Sequence, residues 1–264
     1  MAKAKKTPVI LITNDDDITS PGIRTLVDSV RGLGKIIVVA PNSPQSGMGH
    51  AITIESPLRM NKIDGFFGDD VESWQTSGTP VDCVKLAVDK ILHGKPDICL
   101  SGINHGANHS INVIYSGTMS AAMEAAIEGI PSIGFSLLDY KYDADFRVAK
   151  KVVIEMVTAM LKKKLPAHFL LNVNIPIVTP QKFKGLKICR QAKAKYEESF
   201  YERVDPHNKK YYWLTGEFKN FDKGTDTDVW ALKNNYASVV PVQFDLTDYA
   251  LKKELESNKF FKHA

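Results

Sequence analysis

The sequence predicts an α/β protein built on a doubly wound, mostly parallel β-sheet. Five short apolar segments are continuous in hydrophobicity rather than alternating, which is typical of parallel strands that are covered on both faces. These segments are residues 8–13, 35–41, 97–102, 131–137 and 168–176. Segments with helical spacing lie between them, and strands that alternate with helices form right-handed crossovers in a parallel sheet.

The helices between these strands are predicted from the residues at their ends. Pro21 and Pro80 each follow a hydroxyl residue, so each marks a first helical position preceded by an N-cap. A third helix ends at Gly129, shortly before a proline. A fourth, residues 149–164, ends in lysines that suit the negative end of the helix dipole.

The composition is that of a globular protein. With 264 residues the chain is long enough for one large α/β domain, and 44% hydrophobic and 24% charged residues are ordinary for this class. The net charge of +4 is too small to indicate a nucleic-acid partner, so we expect no stable nucleic-acid complex. The apolar run near the N-terminus is too short for a signal peptide or a membrane span. Three cysteines without metal-ligand spacing, Cys83, Cys99 and Cys189, fit a reducing compartment, so we expect a cytoplasmic protein with no membrane partner.

The pattern changes near residue 180, so we divide the single expected domain into a core, 1–180, and a C-terminal extension, 181–264. Residues 193–224 are aromatic and charged without a clear period, which predicts a long hairpin arm that packs on a partner subunit. Stacking of this segment on nucleotide bases is the alternative. Residues 237–247 return to strand character, and we expect this strand to reach another subunit.

Three polar segments follow predicted strands, and ligands of a doubly wound sheet bind beyond the carboxyl ends of its strands. The segments are residues 14–17, 41–53 and 101–118. At one edge of the sheet they offer carboxylate, hydroxyl and amide oxygens, which suit Mg²⁺ or Mn²⁺ rather than zinc. The turn at 115–118 enters a helix, so its N–H groups and hydroxyls are placed to hold a phosphate.

The first of these segments contains three consecutive aspartates, Asp15, Asp16 and Asp17. Two carboxylates about 4 Å apart repel each other by roughly 4 kcal/mol at an effective dielectric constant near 20. Capping of the following helix is the simpler interpretation, but one aspartate would serve that purpose. Three aspartates therefore favour a bound divalent cation.

Six segments together resemble the SurE family of survival-protein 5′/3′-nucleotidases. They are residues 10–23, 38–53, 78–88, 96–137, 170–176 and 224–247, in the order in which the family has them. The resemblance implies a Rossmann-like core and a C-terminal β-hairpin arm used in a homodimer or homotetramer. It also implies a phosphomonoesterase with one divalent cation per subunit, Mg²⁺ or Mn²⁺. The implied substrates are nucleoside 5′-monophosphates, with 3′-monophosphates as a second class.

The same resemblance implies roles for individual residues. The implied metal ligands are Asp15, Asp16, Ser46 and Asn104. The implied contacts to the substrate phosphate are Asn108, Ser116, Gly117 and Thr118. Asp15 and Asp16 are the catalytic pair, and we expect Asp15 to steer a water that attacks phosphorus in line, with the metal polarising the phosphoryl group.

Asp17 departs from the family pattern, which has glycine after the paired aspartates. We expect its carboxylate to point away from the cation and the phosphate, and either to face solvent or to cap the helix at Pro21. On that interpretation Asp17→Gly costs about 1 kcal/mol of stability. Three loop histidines, His50, His105 and His109, are candidates for protonating the leaving group.

Two other functions fit parts of the sequence. The spacing of Asp15, Asp17 and Thr19 after a strand also matches the start of haloacid-dehalogenase-like phosphatases, in which the first aspartate is the nucleophile. Such an enzyme needs a later lysine and a second acidic pair after a strand, and the Asp69–Asp70 pair comes too early. A phosphate- or nucleotide-binding regulatory module without catalytic activity is the other alternative.

Overall fold

The computed structural model describes residues 7–166 and 168–257, and its central feature is a nine-stranded mixed sheet. In chain order the strands are β1 (Val9–Thr13), β2 (Lys35–Pro41), β3 (Met60–Lys62), β4 (Val71–Thr76), β5 (Ile98–His105), β6 (Ser132–Leu137), β7 (Leu170–Ile175), β8 (Leu186–Ile188), β9 (Ala194–Val204), β10 (Lys210–Asn220) and β11 (Ala237–Pro241). The order across the sheet is β3-β4-β2-β1-β5-β6-β7-β11-β8, and β9 and β10 form a separate antiparallel pair.

Six neighbouring strands, from β4 to β7 in the order of the sheet, are parallel, as the apolar segments predict. Along β1, Ile10 and Ile12 pack into one hydrophobic cluster and Leu11 packs into another, so both faces of the strand are buried. Three strands described in the structure were not predicted: β3, β4 and β8. β3 is very short, and β4 alternates polar with apolar residues because it lies near the sheet edge.

The helices cover both faces of the sheet. In the described part of the chain the α-helices are α1 (Pro21–Val30), α2 (Pro80–Leu86), α3 (Gly117–Ile127), α4 (Arg147–Leu161), α5 (Asp228–Lys233) and α6 (Tyr249–Ser257), of which α6 buries no residue. α1 packs against α4, and α2 packs against α3 on the opposite face. The prediction of a doubly wound α/β fold is confirmed. No helix in the part of the chain described has both the length and the apolar character needed to cross a membrane.

The two proline-initiated helices begin where the sequence predicts, but their caps differ. Before α2, Thr79 and Asp82 form a reciprocal capping box, in which each side chain accepts a hydrogen bond from the other residue's main-chain N–H. Before α1, the Ser20 side chain makes no capping bond. Its Oγ instead accepts a hydrogen bond of 2.9 Å from Asn14, which ties the end of β1 to the start of the helix.

The C-terminal part of the chain contributes two strands to the main sheet and a separate hairpin. β11 lies between β7 and β8 in the chain's own sheet, so the prediction that this strand reaches another subunit is wrong. β9 and β10 are the predicted hairpin, which we call the arm. Each of its strands has eleven residues, and beyond Ala194 their side chains are largely exposed to solvent.

Candidate active site

One cavity of about 360 Å³ lies at the carboxyl end of β1 and beside the loop that follows β5. Its lining residues are Asp15, Asp16, Ser46, Gly47, Asn104, His105, Gly106, Ala107, Asn108, Asn112, Tyr115, Ser116, Tyr140, Tyr196 and Glu198. Among the residues that the structure describes, no lysine or arginine lines this cavity. Its acidic groups are therefore not balanced by a cationic side chain.

Asp15 is the most deeply buried acidic group of the cavity. It packs against the first residue of α3, Gly117, where an added Cβ would come within 2.8 Å of the Asp15 Cβ. The Thr118 hydroxyl donates a hydrogen bond to Asp15 Oδ1. Burial, together with the charge of neighbouring Asp16, raises the pKa of Asp15 from 3.8 to about 6. The fold thus holds a carboxylate where ionisation is costly unless positive charge is supplied.

Asp16 lies on the opposite side of the same corner. Its Oδ2 accepts a hydrogen bond of 3.1 Å from the His105 main-chain N–H, and burial raises its pKa. The remaining oxygen of each carboxylate, Asp15 Oδ2 and Asp16 Oδ1, accepts no side-chain hydrogen bond from the described residues. These two oxygens are free to bind a cation.

Two neutral oxygen groups complete the predicted ligand set. The Asn104 amide N–H donates to the carbonyl of Gly106 at 3.0 Å, which leaves the amide oxygen without a donor. Ser46 lies on the loop after β2, and this loop is fixed at the site because the Gln45 N–H donates to the Asp15 carbonyl at 2.7 Å. Two carboxylates, one amide and one hydroxyl form an oxygen donor set that fits a hard divalent cation. The part of the chain that the structure describes contains no group of three or more His, Cys, Asp or Glu side chains arranged for a metal.

The predicted phosphate contacts fall into two groups. Asn108 and Ser116 line the cavity, and the Ser116 Oγ also caps α3 by accepting a bond of 3.1 Å from the Met119 N–H. Gly117 and Thr118 lie behind Asp15, and the Thr118 side chain is fully buried and bonded to Asp15. A phosphate in the cavity is therefore left only main-chain N–H groups from these two residues.

Asn108 is held by a network from two neighbouring strands. Its side-chain amide donates to Ser136 on β6 at 2.9 Å, and its main-chain N–H donates to the Asn174 side chain at 2.8 Å. Asn172 donates to its carbonyl at 2.8 Å. Three residues of this network, Ser136, Asn172 and Asn174, were not predicted from the sequence, although polar residues inside otherwise apolar strands were a signal that could have found them.

Only one of the three candidate histidines, His105, lines the cavity. Its ring packs edge-on against Phe146, and both ring nitrogens are buried without a hydrogen bond to a described residue. His50 bonds Glu124 at 2.9 Å, and His109 lies against Phe218, where burial lowers its pKa. Neither position supports the predicted role of His50 or His109 as a proton donor to a leaving group.

Asp17 is outside the cavity, as expected, but it does not cap α1. Its Oδ1 accepts hydrogen bonds of 2.6 Å from both the main-chain N–H and the hydroxyl of Thr19, which precedes the helix. Its φ is +85°, in the left-handed region that favours glycine. A glycine here would therefore relieve backbone strain, which the sequence-based expectation of lost stability did not include.

The chain resembles one family along most of its length. The family model described as survival protein SurE matches residues 10–198. A protein named 5′-nucleotidase SurE from Flavobacterium psychrophilum is 60% identical over 91% of this chain and 93% of its own length. One of the same name from Microcystis aeruginosa is 41% identical over 96% and 97%. The crystal structure of the SurE protein from Aquifex aeolicus superposes with a TM-score of 0.82 at 41% identity and covers 96% of this chain and all of its own.

The conformation of Asp17 gives the first prediction. Asp17→Ala loses the bonds to Thr19 and keeps the strained φ, whereas Asp17→Gly loses the same bonds and relieves the strain. We expect Asp17→Gly to be about 1 kcal/mol more stable than Asp17→Ala. Urea denaturation of both variants and the unmodified protein measures this difference. Equal stability of the two variants would show that the left-handed conformation is not strained.

The burial of Asp15 gives the second prediction. Its folded-state pKa lies above its unfolded value, so its contribution to stability is complete below about pH 4 and is lost as the pH rises through about 6. In the presence of a chelator, the unmodified protein should lose about 2 kcal/mol of stability relative to Asp15→Asn between pH 4 and 7. Urea denaturation at both pH values measures this loss. The control is Asp143→Asn, at an exposed aspartate. The prediction would be contradicted if the stability of Asp15→Asn depended on pH in the same way as that of the control.

Proposed function

Because the chain belongs to the survival protein SurE family, we propose that it is a metal-dependent phosphomonoesterase, a 5′-nucleotidase. It hydrolyses nucleoside 5′-monophosphates to nucleoside and inorganic phosphate. The observation that carries this function is the charge of the cavity. One buried carboxylate, Asp15, lies beside the N-terminus of α3 and the half-buried Asp16 lies next to it, and no cationic side chain of the described residues lines the same space.

A phosphate dianion cannot approach such a pair unaided. Each unit of charge about 4 Å from a carboxylate is repelled by roughly 4 kcal/mol at an effective dielectric constant near 20. We therefore propose Asp15, Asp16, Ser46 and Asn104 as the ligands of one divalent cation, Mg²⁺ or Mn²⁺. When bound, the cation supplies Lewis-acid polarisation of the phosphoryl group and lowers the pKa of water.

The chain's own residues then bind and orient the substrate. The Asn108 amide, the Ser116 hydroxyl and the first N–H groups of α3 donate to phosphate oxygens at the positive end of the helix dipole. Asp15 Oδ2 has two lone pairs, so the oxygen that would bind the cation also accepts a hydrogen bond from the attacking water and directs it in line with the ester bond that breaks. Thr118 holds Asp15 in position through its other oxygen.

This assignment is favoured over an aspartyl-phosphate mechanism. Phosphatases of the haloacid-dehalogenase type require a lysine beside the nucleophilic aspartate, and no lysine of the described residues lines this cavity. The names of the relatives also favour hydrolysis over a purely regulatory role. Mass spectrometry of substrate-quenched protein would detect a phospho-aspartate at Asp15 if the covalent mechanism operated.

We also propose that the arm assembles the chain into a homodimer or homotetramer. A two-stranded hairpin alone is marginally stable in water, and a cluster of exposed apolar side chains marks an interaction surface. Phe200, Tyr201, Trp213 and Leu214 on the arm are each more than half exposed. A second copy that covers them would remove this apolar surface from water.

A cytoplasmic location is the last part of the proposal. It is supported by Cys83, Cys99 and Cys189, which are all buried as free thiols. Burial raises the pKa of Cys83 and Cys99 to about 12, so both thiols stay protonated and unreactive.

The third prediction tests the metal site by activity. Asp15→Asn and Asp16→Asn should each reduce phosphate release from AMP with Mg²⁺ or Mn²⁺ by at least about a hundredfold, and chelator should abolish release by the unmodified protein. The control is Asp143→Asn, which should retain full activity. Release that persists in excess chelator would refute the metal-dependent function. Failure to release phosphate from any nucleotide would favour a regulatory module.

The fourth prediction tests assembly. Phe200 and Leu214 are directly opposite on the two strands of the arm, so replacing both by aspartate places two charges within the proposed interface. We expect the double variant to have a smaller mass by light scattering than the unmodified protein. Ile177→Asp, at an exposed apolar residue outside the arm, serves as the control. An unchanged mass for the double variant would exclude this face of the arm from the interface.

A further inference from the structure

We propose that the base of the arm is part of the active site, where Tyr196 together with Tyr140 binds the nucleobase and Glu198 accepts hydrogen bonds from the nucleoside. The proposal rests on the nucleotidase function proposed above. It assigns to the arm a role in substrate recognition in addition to assembly.

The cavity has two chemically different parts. The acidic and amide groups that suit a cation and a phosphate come from the loops after β1, β2 and β5. The remaining wall contains three tyrosines, Tyr115, Tyr140 and Tyr196, whose exposed fractions are 57%, 71% and 40%. Aromatic rings used only for packing are largely buried, whereas these rings leave surface free for a ligand. An aromatic wall of this kind suits a nucleobase, since every base has a π-face on which it can stack.

Tyr140 is placed on this wall by a glycine. Gly106 has a φ of +113°, and a Cβ added there would overlap the Tyr140 ring. The ring therefore lies directly on the main chain of the loop that carries Asn104 and Asn108. A base held by Tyr140 is consequently close to the groups proposed to hold the cation and the phosphate.

Tyr196 is fixed by contacts across the arm. It is paired with Phe218 on the neighbouring strand, with ring centroids 5.5 Å apart. Phe218 in turn packs edge-on against His109, with centroids 5.0 Å apart. Because His109 belongs to the loop after β5, these edge-on contacts among three rings link the arm to the loop that lines the cavity.

Hydrogen bonds fix the base of the arm to the same loop. The Ser110 hydroxyl donates to the carbonyls of Ala192 and Ala194 at 2.8 and 3.2 Å. The buried Asp228 carboxylate accepts from the N–H groups of Ser110 and Ala192 at 2.7 and 3.0 Å. Tyr196 follows Ala194 by two residues, so its backbone is held before any ligand arrives. Such preorganisation reduces the entropy lost on binding.

Glu198 is two residues after Tyr196 on the same strand, so both side chains project from the same face. A carboxylate near the phosphate would repel it, so Glu198 belongs to the nucleoside end of the substrate. A carboxylate there accepts hydrogen bonds from donors, which a nucleoside offers as ribose hydroxyls and base N–H groups. Ribose hydroxyls and base N–H groups both donate in this way, and a kinetic comparison of nucleotides that differ in one or the other distinguishes them.

The experiment compares substrate variants with matched protein variants. We expect Tyr196→Ala and Tyr140→Ala each to raise the KM for AMP about tenfold, which corresponds to about 1.4 kcal/mol. The inhibition constant of ribose 5-phosphate, which lacks the base, should change less than twofold. Tyr211→Ala and Tyr142→Ala are the controls, because both tyrosines are exposed and lie outside the cavity. Tyr196→Phe retains the ring and should retain the KM of the unmodified protein.

Three results would overturn the proposal. The first is an unchanged KM for AMP in Tyr196→Ala and Tyr140→Ala, and the second is an equal loss with AMP and ribose 5-phosphate, which would indicate a structural role only. The third concerns Glu198→Gln, with Glu197→Gln as the control. Glu198→Gln should change the preference for AMP over dAMP if Glu198 recognises the ribose, or the preference for AMP over IMP if it recognises the base. If neither preference changes, the proposed role of Glu198 is refuted. Inactivity of the unmodified protein on every nucleoside monophosphate would instead refute the nucleotidase function itself.

Discussion

The structure depends on one electrostatic constraint, which is the placing of a buried carboxylate, Asp15, next to a half-buried one, Asp16, at the end of β1. Asp15 and Asp16 repel each other, and the described part of the cavity wall supplies no cationic side chain. The fold compensates through neutral donors: the Thr118 hydroxyl, the His105 N–H and the N-terminus of α3. These donors orient one oxygen of each carboxylate without neutralising its charge. The remaining charge is what makes a divalent cation and, through it, a phosphate favourable at this corner.

The sequence predicted the parts of this arrangement that depend on local pattern. Five central strands were visible because strands covered on both faces need continuous apolar residues, and the acidic corner was visible because three aspartates after a strand are unusual. β4 was missed because Glu72 and Gln75 interrupt its apolar pattern near the sheet edge. The left-handed φ of Asp17 was also missed, since backbone conformation at one position leaves no periodic signal.

Contacts between distant segments were the least predictable part of the site. The bond from Thr118 to Asp15 joins residues 103 positions apart, and Tyr196 reaches the cavity only because the arm begins beside the loop after β5. Hydrophobic periodicity describes single elements and says nothing about which loop meets which strand. The resemblance to a known family supplied the cation and phosphate residues, and the structure placed most of them in one cavity. The resemblance did not indicate the tyrosines that line the rest of the cavity.

The position of the arm within the chain has a consequence for how this protein can diversify. The arm leaves the core after β8 and returns before β11, and these two strands are hydrogen-bonded neighbours. At its base, Arg190 pairs with Asp222 and Asp226, so the points of departure and return are fastened together. A segment whose ends are already joined can lengthen, shorten or be exchanged with little effect on the core. The arm, and with it the part of the cavity wall that Tyr196 and Glu198 form, can therefore vary with little effect on Asp15 and Asp16.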